Sequence, residues 1–172
     1  MEPPSLPSRL PQQFLAATSS AAQTRQLGRK LARLLRPGDL LCLRGDLGAG
    51  KTTFVQGLAR GLGVPDPATS PSFTLLHEHR GRLPFLHLDL YRLGPADLAD
   101  VGIDDLLDGD PVVAVEWAEH LPDRLCSEAL ELEFHFAESA PNERRIILRA
   151  RGSRARELIQ AFTGEWHARP RP

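Results

Sequence analysis

An apolar run, Leu40-Leu41-Cys42-Leu43, leads straight into Gly45-Asp46-Leu47-Gly48-Ala49-Gly50-Lys51-Thr52, and a helix-forming stretch follows from Lys51 to Leu62. No other feature constrains the fold as strongly. A glycine-rich turn between a buried strand and a helix is the Walker A arrangement, and it belongs to α/β layers. The glycines let the backbone wrap tightly and aim its N–H groups at phosphate oxygens where side chains would collide. The N-terminus of the following helix adds partial positive charge. Lys51 is placed as a mobile cation for the β- and γ-phosphates of a nucleotide, and Thr52 offers a hydroxyl to Mg²⁺. The loop residues Asp46, Leu47, Gly48, Ala49, Gly50, Lys51 and Thr52 are thus candidate ATP contacts.

The rest of the chain fits the same layer plan. Ser20 followed by Gln23 is a capping-box pattern, and Leu27, Leu31, Leu34 and Leu35 continue it at helical spacing until Pro37-Gly38. The prolines and hydroxyls of 64–72 predict a stiff loop, and strands are predicted over 73–79 and 83–90 about a turn at Gly81. An acidic helical region is predicted from Pro95 to about Leu107. Pro111–Val115 reads as a further buried strand, 130–136 and 145–149 as late antiparallel strands, and 154–162 as a closing helix. These elements predict an α/β fold: a single P-loop NTPase domain with a mixed, partly parallel central sheet flanked by helices. Its expected span is 19–163, between a disordered leader (1–18, with four prolines before Gln13) and a flexible tail (164–172).

Magnesium at such a loop needs an acid beyond the threonine. Asp89 ends the run Phe85-Leu86-His87-Leu88, and Glu116 ends Val112-Val113-Ala114-Val115. Ligands of open α/β sheets collect outside the carboxyl ends of the strands, so both acids are candidates for metal binding and for catalysis. Spacing does not divide those roles between them. The hydroxyl-rich segment Thr69-Ser70-Pro71-Ser72-Phe73-Thr74 is either a loop that orders over the γ-phosphate or a turn entering a strand. Trp117 either stacks near the site or fills the core.

Length and composition set bounds. With 172 residues and 41% hydrophobic content the chain supports one core, and a net charge of −1 provides no bulk field for nucleic acid. Cys42 and Cys126 are far apart in sequence, with no Cys-x-x-Cys pair, which fits a reducing cytoplasm. No apolar run nears the ~20 residues that span a bilayer, so no membrane role is expected. The histidines lack metal-ligand spacing and read as strand and surface residues. Arg144, Arg145, Arg149, Arg151, Arg154 and Arg156 read as a solvated basic edge, with contact to tRNA or to an acidic partner face as the alternative, and Arg92 as a partner for an acid or for phosphate.

Four segments in this order resemble the TsaE (YjeE) family of small bacterial ATPases: Gly45–Thr53, Ser70–Leu75, His87–Leu93 and Val115–Trp117. The resemblance spans about 20–149. It implies an ATPase that uses ATP and Mg²⁺ and acts on the paired proteins TsaD and TsaB in threonylcarbamoyl transfer to the tRNA adenosine beside the anticodon. In that setting tRNA is reached through the complex. Carried over by position, Lys51, Thr52 and Thr53 lie at phosphate and metal, Asp89 and Glu116 are the acids of the site, Trp117 is the aromatic beside it, and Ser20 approaches the nucleotide from the N-terminal side. Ser72 stands where the family often has threonine.

Other functions share the loop. A small-molecule or nucleoside kinase needs an arginine-bearing lid, and 64–72 has no Arg or Lys. A regulatory GTPase reads guanine with Asn-Lys-x-Asp, which is absent from the chain. A non-hydrolysing ATP switch is the fourth possibility.

Overall fold

Val112-Val113-Ala114-Val115 and Leu40-Leu41-Cys42-Leu43 are unbroken apolar runs because each lies mid-sheet with both faces covered. A computed structural model of the chain describes residues 12–65 and 75–167. Its strands are β1 (Gln13–Thr18), β2 (Leu40–Gly45), β3 (Leu76–Arg80), β4 (Pro84–Asp89), β5 (Val112–Glu116), β6 (Leu130–Ala137) and β7 (Ala140–Ala150). They form one seven-stranded sheet in the order β1-β7-β6-β2-β5-β4-β3. The middle four, β4, β5, β2 and β6, run parallel, and antiparallel pairs close both edges. The expected mixed, partly parallel α/β sheet is what the chain forms.

Side chains alternate between two cores. Leu41, Leu43, Val112, Ala114, Leu130, Leu132 and Phe134 point to helices α1 (Ala21–Ala32), α2 (Lys51–Gly61) and α5 (Gly152–His167). Leu40, Cys42, Val113 and Val115 point to the other face, where Leu98 of α3 (Pro95–Asp100), Ile103 of α4 (Ile103–Leu107) and two 3₁₀ turns (Ala118–His120, Asp123–Cys126) cover them. Ser20 caps α1, its Oγ accepting from Gln23 N at 3.2 Å. The reciprocal bond of the capping box shifts by one residue, with Gln23 Oε1 accepting from Ser19 N at 2.8 Å.

Several sequence expectations need correction. Residues 13–18, assigned to the leader, form edge strand β1, paired from Gln13↔Arg149 to Thr18↔Arg144. Ala16 is fully buried there, and Phe14 meets Phe162 edge-on at 5.5 Å. The tail begins later than 164, because α5 runs to His167. Trp166 stacks on Phe162, and Lys30 Nζ donates to Glu165 O at 3.0 Å near the helix end. The acidic region is two helices, split where Gly102 takes the left-handed φ of 65°. β7 runs from Ala140 to Ala150, longer than the strand expected over 145–149. Three of the six arginines of the basic edge are ion-paired: Arg149 with Glu133, Arg151 with Glu131, and Arg154 with buried Asp39. The segment Thr69–Thr74 and most of the 64–72 loop lie outside the described residues. No helix among the described residues is long and apolar enough to cross a membrane.

Candidate functional site

The carboxyl ends of β2, β4 and β5 lie side by side at one edge of the sheet, and the site is built there. Register fixes the neighbours: Leu43↔Glu116 joins β2 to β5, and Asp89↔Glu116 joins β4 to β5. The two acids that close separate apolar runs in sequence are therefore direct strand neighbours. From β2 the chain turns through Gly45–Gly50 into α2. Gly50, the residue before that helix, has φ 107°, which favours glycine, and no side chain caps the helix. The contrast with α1, capped by Ser20, is physical: Gly50 has no side chain to cap the first amides of α2.

A cavity of about 370 Å³ opens at this point, lined by Leu47, Gly48, Gly50, Lys51, Thr52, Thr53, Asp89, Tyr91, Arg92, Glu116 and Trp117. Lys51 Nζ donates to the carbonyls of Gly45 and of Asp46, the latter at 3.0 Å. It also sits 4.2 Å from the centroid of the Trp117 ring. Burial lowers the Lys51 pKa below its usual value, while Glu116, Glu119, Asp89 and Asp46 pull it back up. Glu119 is raised by burial, opposed by Lys51. Thr52 Oγ1 stands 3.0 Å from each carboxylate oxygen of Glu116. Glu116 is 2% exposed and also receives His87 Nε2 at 2.8 Å. Asp89 Oδ1 accepts from Tyr91 N at 2.9 Å.

Trp117 is the single non-glycine residue with positive φ (57°) among the described residues. That conformation turns the chain sharply after Glu116 and sets the ring between Lys51 and Tyr91, whose centroid is 4.9 Å away.

The structure thus brings together Leu47, Gly48, Gly50, Lys51, Thr52, Thr53, Asp89, Glu116 and Trp117. Asp46 contributes its carbonyl, and Ala49 is buried behind the loop. Ser20 is engaged in capping α1 and does not line the cavity. Three participants were not assigned to the site from sequence. His87, read as a strand or surface residue, is fully buried on Glu116. Its signal was present: it lies two residues before Asp89, hence on the same face of β4. Tyr91 lies in the turn beyond the strand. Arg144 lies far along the chain, with its guanidinium 4.5 Å over Phe136 and Nη2 3.4 Å from Gly48 O.

The donor set suits Mg²⁺ bound with a polyphosphate: an aliphatic hydroxyl, two carboxylates and an ammonium converge beside an uncapped helix N-terminus. Comparison with known proteins identifies the family. The family model described as "Threonylcarbamoyl adenosine biosynthesis protein TsaE" matches residues 18–146. The Bacillus subtilis protein named tRNA threonylcarbamoyladenosine biosynthesis protein TsaE is 38% identical over 147 residues, covering 85% of this chain and 91% of its own. The Streptomyces coelicolor protein of the same name is 41% identical over 137 residues, covering 76% and 92%. The crystal structure of Bacillus subtilis YdiB superposes with a TM-score of 0.75 at 34% identity, over 91% of this chain and 97% of that one.

Proposed function

This chain belongs to the TsaE family of threonylcarbamoyl adenosine biosynthesis proteins, and from that premise we propose that it binds and hydrolyses Mg-ATP in support of threonylcarbamoyl transfer to tRNA. The observation that carries the reading is the Thr52–Glu116 contact beside Lys51, at a helix start that no side chain caps. Its partners in this reading are TsaD and TsaB in the cytoplasm, with tRNA engaged through the complex.

The chemistry follows from the chain's own groups. Backbone amides of 48–53 and the Lys51 ammonium hold the β- and γ-phosphates, Lys51 exchanging its two loop carbonyls for phosphate oxygens. Thr52 Oγ1 and the carboxylates of Asp89 and Glu116 supply the protein side of the metal shell. A magnesium ion held by these groups would offset the negative charge that develops on the phosphates. Glu116 orients the attacking water and accepts its proton, a role suited to a carboxylate held at the cavity floor. The Trp117–Tyr91 pair walls the cavity and limits access of bulk water.

An ATPase assay with and without TsaD and TsaB, repeated with Lys51→Ala, tests this. The expected result is slow hydrolysis by the chain alone, stimulation by the partners, and loss of both in the variant. Repeated rounds of tRNA modification that proceed equally well without this protein would overturn the reading.

A further inference from the structure

We infer that His87 is a positioning residue for hydrolysis, holding the Glu116 carboxylate in the orientation from which it serves the attacking water. The inference rests on the ATPase reading above and adds to it a group outside the cavity lining.

His87 is fully buried on β4, and its Nε2 lies 2.8 Å from Glu116 Oε1. A carboxylate only accepts hydrogen bonds, so the imidazole donates, through Nε2–H. The other ring nitrogen, Nδ1, is buried with no hydrogen-bond partner among the described residues. A hydrogen on Nδ1 would be a buried donor without an acceptor, so the geometry selects the Nε2–H tautomer.

Glu116 is consequently gripped from two elements at once. From α2, the Thr52 hydroxyl reaches both oxygens at 3.0 Å; from β4, His87 takes Oε1. One donor leaves a carboxylate free to pivot about it, whereas two donors on different elements fix its plane. The contact is diagonal across parallel strands, since His87 pairs in register with Ala114 and Asp89 with Glu116. An apolar side chain at 87 would fill the same buried space. A buried imidazole is therefore spent on its N–H, and the acceptor of that N–H is the proposed catalytic acid.

The test combines kinetics with a readout that needs no nucleotide. His87→Leu keeps bulk and removes the donor: kcat for ATP is expected to fall about 10- to 100-fold with ATP affinity within about threefold of wild type. His87→Gln returns an N–H near Nε2 and is expected to recover most of that loss, which a purely space-filling role would not do. Long-range ¹H–¹⁵N histidine spectra of the nucleotide-free protein should report the Nε2–H tautomer for His87, and Glu116→Ala should shift that resonance. Thermal unfolding of each variant separates misfolding from loss of orientation. His87→Leu turning over like an active wild type, or an Nδ1–H tautomer in the spectra, would overturn the inference alone. A wild-type chain that hydrolyses nothing, even with its partners, would overturn the ATPase reading and this inference with it.

Discussion

A single methyl group added at Gly57 should loosen the helix that follows the glycine loop. Gly57 lies in α2, where a Cβ would come 2.0 Å from the carbonyl oxygen of Arg25 and 2.6 Å from its carbonyl carbon in α1. Both contacts are backbone, so no side chain can swing aside. Relief to ordinary contact near 3.4 Å requires the two helices to part by about 1.4 Å. Leu27, Leu31, Phe54 and Leu58, all fully buried in the core shared by α1 and α2, would then lose close packing. Overpacking of this kind costs about 1–3 kcal/mol, and helix propensity returns about 1 kcal/mol for Gly→Ala. With backbone on both sides of the clash we expect the upper end, a net loss of about 2 kcal/mol or more. At this chain length that lowers Tm by roughly 4–8 °C. Gly164→Ala in α5 is the control, since a Cβ there meets nothing within 4 Å. It should be neutral or stabilising by up to about 1 kcal/mol. Urea and thermal unfolding of both variants measure the difference. If Gly57→Ala matched Gly164→Ala in stability, the close approach of α1 and α2 would be wrong, and with it the account of how α2 is anchored.

Other outcomes follow from the site. Lys51→Ala should weaken ATP binding about 10- to 100-fold by calorimetry, because the phosphates lose their nearest cation in a sheltered position. Glu116→Ala should cut kcat about 100-fold or more while ATP affinity changes little; equal losses in both would mean that Glu116 mainly binds. Burial lowers the Lys51 pKa below 10.5, so its ammonium is lost earlier than that of an ordinary lysine as pH rises. ATP affinity should accordingly be full below that lowered value and decline on the alkaline side of it, before 10.5 is reached. Calorimetry across the alkaline range should find that decline in the wild type and a flat profile in Lys51→Ala.

How much was legible in advance depended on how local the signal was. The glycine loop, its strand and its helix are contiguous, and the glycine positions carry their own backbone logic, so the strand–loop–helix arrangement read directly. Asp89 and Glu116 were visible as acids ending apolar runs, and their adjacency needed only that both strands be parallel and central. β1 was not legible: Gln13–Thr18 is an edge strand with few buried side chains, and its partner β7 lies more than 120 residues away. The basic cluster misread for a related reason. Arg154 looks solvated beside Arg149 and Arg151, yet its partner Asp39 sits in the turn before β2. Charge pairing between distant segments leaves no mark on either one alone.

The order of residues by itself determined that a glycine loop would join a two-faced strand to a helix, because both periodicities and the turn chemistry act over a few neighbouring peptide units. The tertiary structure alone decided that β4, β5 and β2 stand side by side, and hence that His87, Glu116 and Thr52, from three separate segments, meet within 3.0 Å contacts. Strand order is set by which faces can be buried together, a balance struck over the whole core, and so the orientation of the Glu116 carboxylate is a property of the assembled sheet.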